Sequence, residues 1–356
     1  MQNQTMKQEN NAKVSGSRRS FLTGLAALGA CSAFPAVRVL GSAALAGAPL
    51  PQAASGKKKP RRVDVHHHPS LPANLQPRNA NAPRTFSTGP APATWTPETA
   101  LKMMDEGNTD LVILSSGGND GPMCRVYNDY MAKLRSDYPG RFGMWASVPF
   151  PDVDGALKEI EYAMDTLKAD GIRLGTSYGN KWLGDPAFAP IFEEMNRRKG
   201  VIYTHPGANQ CCQRLVEGIA DASIEFGTDT TRAIVRMVFS GSSAKYPDMK
   251  MIFSHAGGTM PYLIVRLIKD SGAVPKGFPY EAGRFYYDTA QAAGPAAMGA
   301  LKRVVPMNHI LFGTDYPYIT DAATAKGLKD SGVFTDKELL QIDRDNFLEL
   351  MPKYAS

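Results

Sequence analysis

Cysteine is scarce in this chain, which has four cysteines among its 356 residues. Cys31 lies in an N-terminal segment that we expect to be removed, so three cysteines remain in the rest of the sequence. Neither Cys124 nor the vicinal pair Cys211 and Cys212 shows the two-residue spacing that is typical of a zinc site. The pair could form a strained disulfide or offer soft metal ligands, but we expect ordinary packing or a loop position for these cysteines.

A strong excess of one charge is also absent from most of the chain. The formal net charge is +6, but ten basic residues and one acidic residue precede Val63, which leaves 30 basic and 33 acidic residues in the remainder. A slightly acidic domain without interleaved basic and aromatic residues lacks the surface that binds phosphate backbones. Nucleic acid is therefore not an expected partner.

The sequence has no long unbroken apolar run of the kind that crosses a membrane. A stretch rich in Ala, Gly and Leu runs to about Ala48, but Pro35 and Arg38 interrupt it, and a membrane-spanning helix needs about 20 consecutive apolar residues. Arg18 and Arg19 precede this stretch, which resembles a twin-arginine export signal. We predict a signal peptide over residues 1–48, a basic linker over residues 49–62, export to the periplasm by the Tat machinery, and no stable membrane insertion of the mature chain.

Short β-rich runs alternate with helical patterns from Val63 onward, which is typical of a parallel sheet with crossover helices. The predicted strands are Val63 to His66, Asp110 to Ser115, Phe142 to Val148, Gly171 to Leu174, Val201 to His205, Met249 to Ser254, Phe285 to Asp288 and His309 to Phe312. Eight strands with helices between them predict an α/β fold, a (β/α)₈ TIM barrel that forms one catalytic domain over residues 63–356.

Two segments do not fit a bare barrel, namely Pro69 to Ala93 and a second from about Ala208 to Gly227. Such loops over a barrel mouth commonly form a lid or a pocket wall. Helix-start signals predict three helices: Thr96-Pro97-Glu98 precedes Thr99 to Gly107, Asp152 precedes Val153 to Ala169, and Thr228-Asp229 precedes Thr230 to Ser240. Terminal helices are predicted at Thr335 to Asp343 and Asp345 to Leu350.

Most of the six histidines fall at the carboxyl ends of predicted strands. His66 and His68 are two residues apart in an extended segment, so both side chains point to one face and His67 points to the other. His205 ends the fifth predicted strand and His255 follows the sixth. His309 begins the eighth strand at the opposite face of the barrel, and we assign it no role.

Asp315 follows the eighth strand, so it joins these histidines where barrel enzymes build their active sites. Three imidazoles and one carboxylate, from His66, His68, His205 and Asp315, are a ligand set suited to one Zn²⁺ ion, or to Mn²⁺, Fe²⁺ or Co²⁺. A single histidine is more often satisfied by a hydrogen bond to a backbone carbonyl. Chance does not readily place these four residues and His255, five groups in all, at strand ends.

Several motifs resemble those of the amidohydrolase-related family, within the amidohydrolase superfamily, to which aminocarboxymuconate-semialdehyde and 6-methylsalicylate decarboxylases belong. They are Val63-Asp64-Val65-His66-His67-His68, Gly140-Arg141-Phe142-Gly143, Thr204-His205-Pro206, Ser254-His255-Ala256-Gly257-Gly258 and Gly313-Thr314-Asp315-Tyr316-Pro317. The likeness runs from Val63 to the C-terminus and is specific as a set.

The resemblance implies a divalent ion on His66, His68, His205 and Asp315, with His255 beside the metal-bound water or the substrate. It also implies a small aromatic, salicylate-like or muconate-like carboxylic acid as substrate. Strand four offers no lysine that could be carbamylated to bridge two metals, so one ion is expected. A homodimer is suggested by the resemblance alone, since no coiled-coil heptad is present.

The predicted chemistry is non-oxidative decarboxylation, in which Asp315 or a metal-bound water protonates the ring carbon and His255 relays the proton. The alternative is a metal-dependent hydrolase of a lactone, amide or ester at the same site, and a second is a non-catalytic binding barrel. Arg173, Trp145 and Tyr316 lie near strand ends and are the candidate substrate contacts, of which Arg173 is preferred because barrel strands alternate core and cavity.

Overall fold

The structure is a computed structural model that describes residues 61–76, 94–116 and 121–355. The predicted signal peptide, almost all of the basic linker and most of the predicted lid after the first strand lie outside the described residues. Among the residues that are described, no helix is both long enough and apolar enough to span a membrane. The export signal and its boundaries stay predictions.

Eight parallel strands form one sheet whose order follows the chain. These strands are β1 (Val63–His67), β2 (Leu111–Ser115), β3 (Phe142–Ser147), β4 (Gly171–Gly175), β7 (Val201–His205), β8 (Lys250–Phe253), β9 (Tyr286–Asp288) and β10 (Ile310–Leu311). A separate hairpin comprises β5 (Ser177–Tyr178) and β6 (Lys181–Trp182). All eight predicted strands are present, and none of their ends differs from the prediction by more than one residue.

The sheet closes on itself between its first and last strands. Val65 N donates to Phe312 O over 3.0 Å, and Asp315 N donates to His66 O over 2.9 Å. His68 N then donates to Tyr316 O over 2.8 Å. These bonds remove the free edges of β1 and β10 and confirm the predicted TIM barrel.

Helices cover the outside of the barrel and follow the strands along the chain. They are α1 (Pro97–Glu106), α2 (Gly121–Asp137), α3 (Val153–Glu161), α4 (Ala189–Arg197), α5 (Asp221–Phe239), α6 (Ser242–Lys245), α7 (Met260–Asp270), α8 (Phe278–Ala282), α9 (Pro295–Lys302), α10 (Asp321–Asp330), α11 (Asp336–Leu340) and α12 (Asn346–Leu350). Thr96 and Asp152 cap α1 and α3 as the sequence predicts, since each side chain accepts a backbone N–H.

The helix predicted over Thr230 to Ser240 corresponds to α5. Its predicted start is wrong, because α5 already begins at Asp221. Asp229, which the sequence predicts to lie at the helix start, lies inside α5 and is buried. Its carboxylate accepts hydrogen bonds from Trp182 Nε1 over 2.6 Å and from Ser177 Oγ over 2.9 Å. Asp229 therefore holds the β5–β6 hairpin against α5 and caps no helix.

Cys211 and Cys212 lie in the loop after β7, as expected, but they form the disulfide that was the less favoured alternative. Asn209 holds this loop to the hairpin, since its Nδ2 donates to Gly179 O over 2.7 Å. Cys212 is buried and receives a contact from Arg232 of α5. These contacts hold the loop, the hairpin and α5 together.

A bulge in β1 changes which side chains enter the barrel. Asp64 pairs with Val112 and His67 with Leu114, so two residues of β1, Val65 and His66, lie opposite the single residue between them on β2. Val65 packs in the interior cluster with the apolar residues of other strands. The bulge lets His66 enter the interior as well, while Asp64 and His67 stay on the outer side.

Candidate active site

Four side chains meet at the carboxyl end of the barrel. Their ligand atoms, from His66, His68, His205 and Asp315, all lie within 4.8 Å of one another. Asp315 Oδ1 is 3.2 Å from His66 Nε2, 3.0 Å from His68 Nε2 and 4.0 Å from His205 Nε2. The structure thus brings together the four residues that were expected to bind the ion.

The donor atoms fit a divalent cation. Within the part of the chain that the structure describes, His205 Nε2 and Asp315 Oδ1 are buried and have no hydrogen-bond partner. Leaving such atoms unpaired costs about 1–3 kcal/mol each, and a shared cation between them removes that cost. Three imidazole nitrogens and one carboxylate oxygen suit a single divalent transition-metal ion with coordination positions left open.

Each of the three imidazole rings is oriented by its other nitrogen. His66 Nδ1 lies 2.8 Å from Asp288 Oδ2, His68 Nδ1 lies 3.1 Å from Ser115 O, and His205 Nδ1 lies 2.8 Å from Pro206 O. These partners can only accept hydrogen bonds, so we assign a proton to each Nδ1. Each Nε2 is thereby the nitrogen that faces the ion.

Asp288 connects two of the site histidines, and the sequence analysis assigned it no role. It is fully buried at the end of β9. Its Oδ2 accepts from His66, and its Oδ1 accepts from the backbone N–H of His255 over 2.8 Å and of Ala290 over 3.1 Å. The sequence does contain a sign of this residue, since Asp288 is an acidic residue at the end of the seventh predicted barrel strand. His205 was predicted as a site residue because it ends a strand in the same way.

His255 lies beside the four ligand side chains, as predicted. Its Nε2 is buried without a hydrogen-bond partner and is 3.5 Å from Asp315 Oδ2. The backbone of His255 has a φ of 55°, which is uncommon for a residue other than glycine and is held here by Asp288. Gln291, which the sequence analysis missed, donates to Asp315 Oδ2 over 3.0 Å.

Charges in the site set the protonation of these groups when no ion is bound. Burial alone would lower the pKa of His66, but the carboxylates of Asp288 and Asp315 outweigh it and raise that pKa to about 10. Burial likewise opposes ionisation of Asp315, yet the positive charge of His66 holds the pKa of this carboxyl well below the usual range. Burial lowers the pKa of His205 well below its usual value. In the metal-free site His66 therefore carries a second proton, on Nε2, and is a positively charged imidazolium between the carboxylates of Asp288 and Asp315.

The amidohydrolase family model matches residues 63–349, which is the whole barrel with its ligand residues. The chain belongs to the amidohydrolase family. A decarboxylase of Aspergillus niger is 34% identical over 333 residues, covering 82% of this chain and 88% of that protein. The 6-methylsalicylic acid decarboxylase of Penicillium expansum is 33% identical over 316 residues, covering 82% of this chain and 96% of that protein.

The solved structures agree on the fold. A dihydroxybenzoic acid decarboxylase from a Polaromonas species, with bound manganese and the inhibitor 2-nitroresorcinol, superimposes with a TM-score of 0.69 at 20% identity, covering 81% of this chain and 96% of that one. With decarboxylases as relatives over most of both chains, this amidohydrolase is an enzyme, a metal-dependent decarboxylase.

The candidate substrate contacts Arg173 and Trp145 occupy different positions in this amidohydrolase barrel. Arg173 lies on β4 with a buried Nε that has no hydrogen-bond partner in the described residues, and burial lowers the pKa of its guanidinium. Trp145 is a core residue below the site, since its Nε1 donates to Val65 O over 3.0 Å and its ring stacks on Tyr203.

Tyr316, the third candidate substrate contact, does not face the ligand histidines although it directly follows Asp315 in the chain. Asp315 faces the ligand histidines, and Tyr316 packs outward, stacked on His67 with ring centroids 4.9 Å apart. His67 faces away from the ligands, as predicted, and accepts a hydrogen bond from Trp95 Nε1 over 2.8 Å. His309 lies at the other end of the barrel, stacked on Tyr286.

Proposed function

We propose that the protein removes CO₂ non-oxidatively from a salicylate-like aromatic carboxylic acid. The observation that carries the proposal is the partly buried guanidinium of Arg173, on the strand next to His205 of the ion-binding group, whose buried Nε has no hydrogen-bond partner in the described residues. A cation that is partly withdrawn from water and lies beside a cation site calls for an anionic ligand that neutralises both charges. A carboxylate with an adjacent phenol oxygen meets that requirement.

A divalent ion held by the four ligand side chains would supply a positive charge that stabilises the negative charge left on the ring when CO₂ departs. Arg173 binds and orients the carboxylate as a bidentate partner. Burial of the surrounding groups excludes water, which strengthens these charge interactions.

The His255 and Asp315 side chains transfer the proton to the ring carbon. In the overall reaction the bond from the ring carbon to the carboxylate breaks, CO₂ leaves, and the ring carbon takes one proton. His255 Nε2 and Asp315 Oδ2 are 3.5 Å apart, close enough to exchange a proton through a small movement or one water. Gln291 fixes Asp315 Oδ2 toward His255, so the pair delivers the proton from one direction.

Zinc is our proposed ion, because three imidazoles and a carboxylate are a usual donor set for it. Manganese is the principal alternative, since it is the ion bound in the Polaromonas relative. Elemental analysis of protein purified without added metal separates the two. About one ion per chain supports the site, and the identity of that ion decides between them.

Substrate identity is tested by incubating the metal-loaded protein with 6-methylsalicylate, salicylate and a muconate-like acid, and by measuring CO₂ and the decarboxylated product. In D₂O the product should carry one deuterium on the ring carbon that had held the carboxylate. The hydrolase alternative has no support among the decarboxylase relatives. Cleavage of a lactone, amide or ester without CO₂ release from any acid would nevertheless refute the decarboxylase proposal.

Export by the Tat machinery and a periplasmic location are part of the proposal and rest on Arg18 and Arg19 ahead of the apolar stretch. The test is fractionation of cells that express the full chain and a variant with both arginines changed to lysine. Periplasmic protein that is lost in the variant supports export. Cytoplasmic protein in both cases contradicts it. Size-exclusion chromatography with light scattering tests the proposed homodimer.

A further inference from the structure

A cavity lies at the end of the barrel opposite the active site. Its volume is about 140 Å³, and its lining comes from the segment after α5 and the beginnings of β8 and β9. Lys250 begins β8 and His255 follows the end of that strand, so about five residues, roughly 16 Å of extended chain, separate the cavity from the active site. The cavity shares no residue with the candidate active site.

The polar lining of the cavity is positively charged. Lys250 and Arg284 line it, and Arg284 is partly neutralised by Glu281, whose Oε2 is 2.9 Å from Nη1. In the described ranges no carboxylate lies within 4.0 Å of Lys250 Nζ. Lys250 therefore offers an uncompensated positive charge at the cavity wall.

A buried hydroxyl in the same lining has no partner. Ser243 is only 3% exposed, and its Oγ makes no hydrogen bond within the part of the chain that the structure describes. An unpartnered buried hydroxyl costs about 1–3 kcal/mol. Because the oxygen is buried behind the lining, it would reach a ligand only by rotation of the Ser243 side chain. A ligand oxygen near Lys250 would then accept hydrogen bonds from both side chains.

Aromatic rings form the rest of the lining. Tyr286 and His309 are stacked with centroids 4.2 Å apart and an interplanar angle of 17°, and Tyr246 and Phe285 lie beside them. Burial lowers the pKa of His309, so its ring is neutral at pH 7 and suits stacking. The negative charge of the nearby Glu349 carboxylate reaches both Tyr286 and His309, where it opposes any lowering of their pKa values. The same charge would repel an anionic group from this side of the cavity, which favours its placement at Lys250.

The volume sets the size of the occupant. A cavity of about 150 Å³ accommodates one benzene ring, and drug-sized ligands need about 300 Å³ or more. We propose that this cavity is a second ligand site that binds a one-ring aromatic carboxylate, with the ring against the Tyr286 and His309 pair and the carboxylate at Lys250 and Ser243. The inference rests on this lining and is independent of the proposed reaction.

The test is equilibrium dialysis of labelled benzoate against the metal-loaded protein and two variants. Lys250→Met removes the charge at the cavity, and Arg173→Met removes the charge at the active site. We expect a benzoate site that survives in Arg173→Met and whose Kd rises about tenfold in Lys250→Met, the scale of one charge-assisted hydrogen bond. The kcat/KM of Lys250→Met at low substrate concentration should equal that of the unchanged protein.

Two further variants and one further ligand keep the test decisive. Lys250→Arg retains the charge and should retain the site, and Ser243→Ala should weaken binding severalfold and stands in if Lys250→Met does not fold. Benzyl alcohol, which has the ring without the charge, should compete poorly. Benzoate binding that disappears entirely in Arg173→Met, is unchanged in Lys250→Met and Ser243→Ala, or is displaced equally by benzyl alcohol would overturn the proposal.

Discussion

Replacing Asp288 by asparagine should weaken metal binding without removing any ligand. Asp288 Oδ2 accepts the proton of His66 Nδ1 over 2.8 Å, and Oδ1 accepts the backbone N–H groups of His255 and Ala290. An amide has one accepting oxygen, so either His66 or the His255 backbone must face an N–H donor. In the first case the ring loses the partner that keeps Nε2 toward the ion.

The magnitude follows from the bonds that are lost. A hydrogen bond to a charged group contributes about 1.5–3 kcal/mol, which corresponds to roughly 10- to 150-fold in an equilibrium constant. We therefore expect the Kd for the ion to rise about 10- to 100-fold, the range found when outer partners of metal ligands are removed. The measurement is competition against a chelator of known affinity.

A matched control exists at the opposite end of the barrel. Asp170 is also a buried carboxylate that accepts a backbone N–H, from Met144 over 2.7 Å, and a tyrosine hydroxyl, from Tyr354 over 2.8 Å. Asp170→Asn should lower the free energy of unfolding and leave the Kd for the ion unchanged. An Asp288→Asn variant that is folded and binds the ion within about twofold of the unchanged protein would refute this reasoning, since its bonds predict at least tenfold.

Four other predictions concern the same barrel. Loading the metal-free protein at pH 7.5 should release about one proton per ion, because the pKa of His66 is raised to about 10 and that proton must leave; calorimetry in buffers of different ionisation enthalpy counts it, and zero release contradicts the assignment. His255→Asn should lower kcat by about 10²- to 10⁴-fold with metal content retained, so a nearly unchanged kcat would exclude His255 from the proton transfer. Arg173→Met should raise KM about 10- to 100-fold, with Arg173→Lys between it and the parent, and equal KM values in all three would remove Arg173 from substrate binding. Burial and the Asp64 carboxylate raise the pKa of Asp321 to about 7, so the folded state holds this proton more tightly than the unfolded chain and stability should fall from about pH 4 to pH 7; Asp321→Asn should flatten this part of the denaturation profile, and an unchanged slope would contradict it.

Strand-end positions made the ligand residues predictable from the sequence. His205 ends a recognisable apolar strand and Asp315 follows one, as does the neighbouring His255, and barrel topology sends such positions to one face. The spacing of His66 and His68 placed both on one side of the chain, which the structure confirms. The barrel itself was predictable for the same reason, because its eight strands alternate with helices.

Residues that act through other residues were not predictable in this way. Asp288 stands at a strand end as His205 does, but that position does not reveal that its carboxylate contacts His66. The contact of Gln291 with Asp315 has no signal in a single sequence. The bulge at Val65 and His66 depends on the hydrogen bonding of β2. Asp229 resembled part of a helix start, but its carboxylate binds the β5–β6 hairpin from within α5, so tertiary contacts decided its role.

The closure of the barrel between its first and last strands has a consequence for the order in which the protein matures. His66 and His68 lie on one side of that junction and Asp315 on the other, and Thr314 Oγ1 donates to Asp64 across it over 2.7 Å. The four-ligand set therefore exists only after the two ends of the catalytic domain have met. An incomplete chain, or one still being synthesised, lacks the carboxylate ligand, so metal loading should report that the whole domain has folded.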